Sequence, residues 1–280
     1  MTDDGEVSAV DVPALRAFVL AHLVPGVDEL TSTAKGERLT RVVTGPDGPR
    51  RVTVDLADPA TTRDPAARAW LGLDRDLAPA RAHLAGDPAI GPLHAERPDL
   101  VVPGTPGALE SAVAAVLAQQ VSLAAARTFA GRLAAHVGRT HEGSLAFPRA
   151  ADLAGADPVD LQAAVRVTHA RARAVVALAR AVVDGLDLGP GGSRADLLAV
   201  PGIGAWTADL VDLRCRADDD AYPAGDLALR RALGVATAAE AIAVAEPWRP
   251  HRALALLHLW TAHALLPPEP PARAPIPSDP

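Results

Sequence analysis

Leu197-Leu198-Ala199-Val200-Pro201-Gly202-Ile203-Gly204-Ala205-Trp206-Thr207-Ala208-Asp209 decides how the rest of the sequence is read. The pattern predicts a helix ending at Pro201, a turn containing two glycines, and a new helix whose first N–H groups lack partners. Glycine carries no Cβ, so the backbone of this turn is open to close approach by another molecule. Such a turn can hold a phosphate without a lysine. A tight helix–helix connection is the plain alternative, and the turn alone does not separate the two.

Downstream, Asp226 lies 22 positions after Gly204, behind the non-helical stretch Ala221-Tyr222-Pro223-Ala224-Gly225. It directly precedes a predicted helix, Leu227 to Leu233, where aspartate is a favoured N-cap. Helix N–H groups also favour a carboxylate in its charged form. A charged carboxylate is what cleavage of a glycosidic bond through an oxocarbenium-like transition state requires. Further on, His251 to Leu266 is apolar on most sides and is expected to be the most buried helix. Upstream, Leu109, Ala112, Val113, Val116 and Leu117 form one apolar stripe, and Ala126, Phe129, Leu133 and Val137 form another. Other helices are expected from about Val159, Ala170, Ser193, Ala205 and Ala238.

Before residue 100 the signal is mixed. A helical pattern, Val12 to Leu23, precedes two β-branched runs, Leu39 to Thr44 and Arg51 to Leu56. These flank the hairpin signal Gly45-Pro46-Asp47-Gly48-Pro49. The fold expected is an α+β N-terminal unit (1–100) followed by an all-α helical bundle (101–266). A proline-rich tail (267–280), beginning Pro267-Pro268-Glu269-Pro270-Pro271, is expected to be unstructured.

Composition bounds the function. The 280 residues carry a formal charge of −7, which argues against binding nucleic acid by bulk positive charge. Residues 1–100 hold 11 basic and 16 acidic residues, and residues 101–280 hold 16 and 18, so the acidity sits mostly in the first unit. Of the 27 basic residues only Lys35 is a lysine; the rest are arginines, suited to pairing with phosphate or carboxylate in two places at once. The single Cys215 rules out a disulfide framework, a multi-cysteine zinc site and a cysteine-ligated iron–sulfur cluster, and is expected to be a buried, inert thiol. The start of the chain is acidic, and no apolar run approaches the ~18 residues of a membrane helix. The expectation is a soluble cytoplasmic protein without membrane contact.

Taken together, Leu117-Ala118-Gln119-Gln120-Val121-Ser122, the glycine turn, Tyr222-Pro223-Ala224-Gly225-Asp226, and Trp248-Arg249-Pro250-His251-Arg252 through Leu257-His258-Leu259-Trp260 resemble the helix-hairpin-helix DNA glycosylases in order and spacing. The 3-methyladenine DNA glycosylase II type is the best match. Asp11 through Phe18 and Val24-Pro25-Gly26-Val27-Asp28 extend the likeness into the first unit, so that it reaches from there to about Pro268. The resemblance places a helix-hairpin-helix at about 193–215. It implies an enzyme of base excision repair that hydrolyses the N-glycosidic bond of alkylated bases in duplex DNA and works as a monomer. Asp226 would be the catalytic carboxylate. Trp206, Trp260, Phe18, Leu210 and Leu227 would line the base pocket. Gln120 would wedge into the duplex, and the backbone at Gly202, Gly204 and Ala205 would bind a phosphate. The carbonyls of Leu198, Val200 and Ile203 would hold a monovalent cation, with no cofactor for the chemistry.

Related strand-cleaving enzymes carry a lysine nucleophile at position 206. Trp206 cannot form an imine, which implies a monofunctional enzyme. The sequence also departs from the family pattern. Leu210 and Leu227 replace tyrosines, and His22 and Val101 stand where arginines are common, which bears on the range of bases accepted. Arg127 and Arg132 are candidate phosphate contacts or members of a solvated face, and Asp218-Asp219-Asp220 reads as a solvated loop. Two other readings remain at this point: a damage-binding protein without catalysis, and a glycosylase for other damaged bases.

Overall fold

Asp11 opens the first helix, α1 (Val12–Ala21), in a computed structural model that describes residues 9–45 and 48–266. Its carboxylate accepts the Ala14 N–H at 2.9 Å, and Pro13 sits in the first turn, where a missing N–H costs nothing. The helix stops at Ala21, two residues before the expected Leu23. Behind it, β1 (Glu29–Thr33), β2 (Gly36–Gly45) and β3 (Gly48–Asp55) form an antiparallel sheet in the order β1-β2-β3, with Leu39 opposite both Leu30 and Val54. The expected strands are β2 and β3. Nothing in the sequence announced β1, because Glu29 through Ser32 are exposed and show no apolar alternation. The tip of the β2–β3 hairpin, Pro46-Asp47, lies outside the described residues, as do the acidic start and the proline-rich segment 267–280.

The rest is helical apart from a small hairpin of β4 (Thr140–His141) and β5 (Ser144–Leu145). In order come α2 (Pro65–Leu71), α3 (Ala78–Leu84), α4 (Gly91–Glu96), α5 (Ala108–Ala118), α6 (Leu123–Val137), α7 (Ala150–Ala154), α8 (Pro158–Val165) and α9 (His169–Val183). Then follow α10 (Arg194–Leu198), α11 (Ala205–Arg214), α12 (Leu227–Leu233), α13 (Ala238–Val244) and α14 (Arg252–Trp260). All seven residues from Ala253 to Leu259 are buried, as the all-round apolar pattern required. The predicted single helix over His251–Leu266 changes character at Thr261, where a π-helical turn (Thr261–Leu265) takes over.

Three apolar clusters hold the fold. Leu15 and Val19 of α1 pack with the sheet residues Leu39, Val43, Val52 and Val54 and with Trp70 of α2. Helices α5, α6, α8 and α9 surround a second core that reaches Leu197, Ile203 and Val211 around the glycine turn. The third joins Ala14 and Phe18 of α1, Ala80 and Leu84 of α3, and Ile90 to α12 and α14. Helices α3 and α4 belong to the core of the C-terminal helices, and α1 contributes to two cores from adjacent faces. No helix among the described residues is long and apolar enough to cross a membrane.

Candidate active site and hairpin turn

The Asp226 carboxylate caps α12. Its Oδ1 accepts the Leu229 N–H at 2.8 Å and, from α14, the indole N–H of Trp260 at 3.2 Å. Oδ2 has no protein partner and is not enclosed. The Asp226 N–H donates to the Pro223 carbonyl at 2.7 Å, which fixes the entry to the helix. Trp206, in the first turn of α11, lies against this segment: a Cβ built on Gly225 would stand 3.8 Å from Trp206 Cβ and Cδ1. Asp226, Trp206 and Trp260 are all half-buried and come together from three helices. Leu227 stands beside them at the rim, 52% exposed. Leu210, one turn along α11 from Trp206, is half-buried and, like Trp260, packs against the third core.

Continuing along that face of α11, Arg214 brings its guanidinium 4.5 Å from the Phe18 ring centre and donates from Nε to the Gly104 carbonyl at 2.6 Å. Burial pushes its pKa down to about 10. Phe18 itself is 3% exposed, and the ring stacked on it, 4.3 Å away, is that of the exposed His22. Arg214 was missed in the sequence, although its spacing of eight from Trp206 puts both on one helix face.

The turn between α10 and α11 is closed by the Ile203 N–H on the Val200 carbonyl at 3.1 Å. Gly202 has φ of +89°, and a Cβ there would fall 2.5 Å from Ala174 Cβ on α9. Gly204, with φ of −106°, is different: a Cβ there would meet nothing within 4 Å. Gly204 and Ala205 are exposed, and no side chain caps the N-terminus of α11. The carbonyls of Leu198 and Ile203 accept no hydrogen bond among the described residues, whereas that of Val200 accepts one. Three carbonyls on one turn, two of them unpaired, are a donor set suited to a hard cation.

The bend between α5 and α6 is latched to this turn. Gln119 donates from Nε2 to the Gly202 carbonyl at 3.0 Å and to Thr207 Oγ1 at 3.1 Å, and the Arg171 guanidinium donates to the Gln119 carbonyl. Gln120 is exposed with φ of +56°, a left-handed conformation that glutamine adopts only when its surroundings impose it. The role of Gln119 was not legible, because its partners lie more than 80 residues away.

Two expectations are corrected. Arg127 donates to the Leu23 carbonyl at 2.9 Å and Arg132 to that of Val165 at 3.4 Å, so both brace the backbone instead of forming a solvated face. Asp218-Asp219-Asp220 is a junction: Asp219 pairs with Arg75, and Asp220 pairs with Arg249 and with Arg252, the latter at 2.7 Å. Cys215 is half-buried beside the Ala108 carbonyl, and burial pushes its thiol up to about 11, away from the reactive thiolate. No group of three or more His, Cys, Asp or Glu side chains suited to a metal occurs among the described residues.

Residues 113–246 match the family model described as HhH-GPD superfamily base excision DNA repair protein. The chain is 38% identical over 280 residues to a Mycobacterium tuberculosis protein named probable bifunctional transcriptional activator/DNA repair enzyme AlkA; the match takes in 90% of this chain and 55% of that relative, so the chain spans about half its length. It is 35% identical over 189 residues to DNA-3-methyladenine glycosylase 2 of Escherichia coli, covering 65% of this chain and 67% of the relative. In fold it is similar to a 3-methyladenine DNA glycosylase from Archaeoglobus fulgidus, with a TM-score of 0.69 at 18% identity over 91% of this chain and 96% of the other. The hairpin turn, the Gln119 latch and the Asp226 cap all fall inside the matched segment, and the chain belongs to the HhH-GPD superfamily of base excision DNA repair proteins.

Proposed function

We propose that this chain is a monofunctional DNA glycosylase that hydrolyses the N-glycosidic bond of alkylated bases of the 3-methyladenine type in duplex DNA. The observation that carries the reading is the Asp226 carboxylate, held on Oδ1 by the Leu229 and Trp260 N–H groups, with Oδ2 unpartnered and Trp206 lying against the preceding Gly225. As the bond from C1′ to the base lengthens, positive charge grows on the deoxyribose and the carboxylate stabilises it. Oδ2 also orients the water that adds to C1′ and loses a proton. The base leaves with the bonding electrons, and an abasic site remains. An alkylated cationic base is a good leaving group, and the electron-rich faces of Trp206 and Trp260 favour it over its neutral parent. Trp206 offers no amine, so strand cleavage through an imine does not follow.

In the same reading, the N–H groups at Gly202, Gly204 and Ala205 bind a phosphate, and Gln120 fills the space left by the flipped nucleotide. A monovalent cation on the carbonyls of Leu198, Val200 and Ile203 would add positive charge beside that phosphate and take no part in the chemistry. The protein is read as a monomer working in the cytoplasm.

The test is incubation of the purified chain with methylated duplex DNA. Free 3-methyladenine should appear, and the strand should stay intact until alkali opens the abasic sites. Asp226→Asn keeps the helix cap and should lower release by about 10²–10³-fold with duplex binding retained. Full activity in that variant would remove Asp226 from the chemistry. Damage-selective binding by the wild type without base release would favour a damage recogniser instead.

A further inference from the structure

Among the described residues, four arginine side chains make no hydrogen bond, ion pair or ring contact: Arg63, Arg166, Arg173 and Arg231. All four are exposed. The other described arginines are engaged by carboxylates or backbone carbonyls, as Arg230, beside Arg231 in α12, is by the Ala236 carbonyl. A guanidinium left free in such a chain is available to a ligand that accepts in two places, and phosphate is one.

Arg231 lies four residues after Leu227 in α12, and residues so spaced share a helix face with their Cβ atoms about 5–6 Å apart. Leu227 directly follows Asp226 and is 52% exposed at the rim of the site. Arg231 therefore stands on the open side of the helix that Asp226 caps, roughly 7.5 Å along the axis from the capping residue at 1.5 Å per residue. A deoxyribose with C1′ at Asp226 brings its own 5′ and 3′ phosphates into this neighbourhood. Those phosphates and the carboxylate carry like charges, which a cation between or beside them offsets.

Arg173 is tied to the glycine turn. A Cβ on Gly202 would stand 3.4 Å from the Cα of Ala174. The Cα of Arg173, one residue away, thus lies within about 9 Å of that of Gly202 at a Cα spacing of 3.80 Å. Residues 197–208, which contain the turn, have no basic side chain of their own. Arg166, at the end of α8, and Arg63, next to the Asp64 cap of α2, have no such tie to the turn or to Asp226.

We propose that Arg231 and Arg173 are phosphate-binding residues for the duplex: Arg231 holds a phosphate flanking the nucleotide at Asp226, and Arg173 a phosphate beside the one on the glycine turn. The assignment rests on the glycosylase reading of Asp226 and of that turn.

The test is the affinity for duplex DNA carrying an abasic-site analogue, measured over a series of salt concentrations. Each neutralised phosphate contributes about 0.9 to the slope of log K against log salt. Arg231→Gln and Arg173→Gln should each weaken binding and reduce the slope by about 0.9. Arg231→Lys keeps the charge and should keep the wild-type slope. Arg63→Gln, the control, should leave slope and affinity unchanged. Because none of these side chains has a partner in the fold, melting temperatures should match wild type, which separates lost contacts from lost structure. A wild-type slope in Arg231→Gln or Arg173→Gln overturns the assignment of that residue, and an equal loss in Arg63→Gln overturns both by showing an effect of net charge. Release of 3-methyladenine from methylated DNA is measured separately on the wild type. Its absence removes the reading of Asp226, and the placement of Arg231 with it, whatever the slopes.

Discussion

Gly202 and Gly204 are two residues apart and are glycines for different reasons. Gly202 combines a left-handed backbone with contact to Ala174, so any side chain meets both strain and a clash. Gly202→Ala should therefore cost roughly 1–3 kcal/mol, read as a lower melting temperature. At Gly204 the backbone is ordinary and a Cβ would point into open space. Gly204→Ala should leave stability within about 0.5 kcal/mol, as surface substitutions do, and should weaken duplex binding, because the methyl group would stand beside the N–H groups proposed to bind a phosphate. Melting curves and duplex titrations on the same two preparations check both. The Asp226 cap was legible because an N-cap and its acceptor geometry span only a few residues. The Trp260 N–H on the same carboxylate comes from 34 residues away and was not.

At the scale of elements, the hairpin is held from behind. Gln119 sits at the end of α5, and its amide reaches both the turn and the first helical residues after it. Thr207, 1% exposed, loses a partner for its buried hydroxyl if this amide is removed. Gln119→Ala should cost about 1–3 kcal/mol for the lost bonds. It should also lower duplex affinity, because Gln120, the proposed wedge, and the turn are then no longer fixed to one another. Thermal denaturation with a duplex titration measures both effects, and unchanged affinity would show that the latch serves stability alone. Most helices from α5 onward were legible by their apolar stripes and glycine punctuation; α2, α3, α4 and α7, of five to seven residues each, were not. The strand β1 was not, since an exposed edge strand carries no such stripe.

For the whole molecule, arginine is mostly occupied internally. Arg41 is buried between Asp28 and Glu110, Arg97 pairs with Asp11, and Arg252 with Asp220. A formal charge of −7 with so many internal pairs leaves little long-range attraction for undamaged DNA. Two histidines whose pKa values are held down, His22 and His258, make the fold acid-sensitive. His258 in α14 is 2% exposed, neither ring nitrogen has a hydrogen-bond partner, and His94 lies edge-on at 5.4 Å. Burial first, then the charges of His94 and Arg81, push its pKa down to about 3, against a smaller opposing pull from Asp11. The unfolded chain takes up this proton near pH 6.5 and the native one does not. The stability is thus present above pH 6.5 and falls as the pH drops towards 3, by up to about 1.4 kcal/mol per pH unit. Asp28 and Glu110, whose carboxyls burial raises, act with the opposite sign as they protonate. His258→Leu should flatten the decline in melting temperature between pH 7 and 5 relative to wild type. Parallel slopes would assign the acid sensitivity to other groups.

By itself the sequence determined most of the helices beyond residue 105, the two-glycine turn, the Asp226 cap and the α+β character of the first unit. Each rests on residues within a turn or two of one another, where φ/ψ preference, capping and apolar periodicity act. The tertiary structure decided what those elements face. Helices α12 and α14 meet at the Asp226 carboxylate with α11 against the segment before it, Phe18 stacks on His22, Gln119 ties one hairpin to another, and α3 and α4 join a core beyond residue 100. Those pairings join residues from 4 to more than 80 positions apart. Where they involve different helices, the relative placement is set by how the apolar faces of whole helices interlock, which no local stretch of chain specifies.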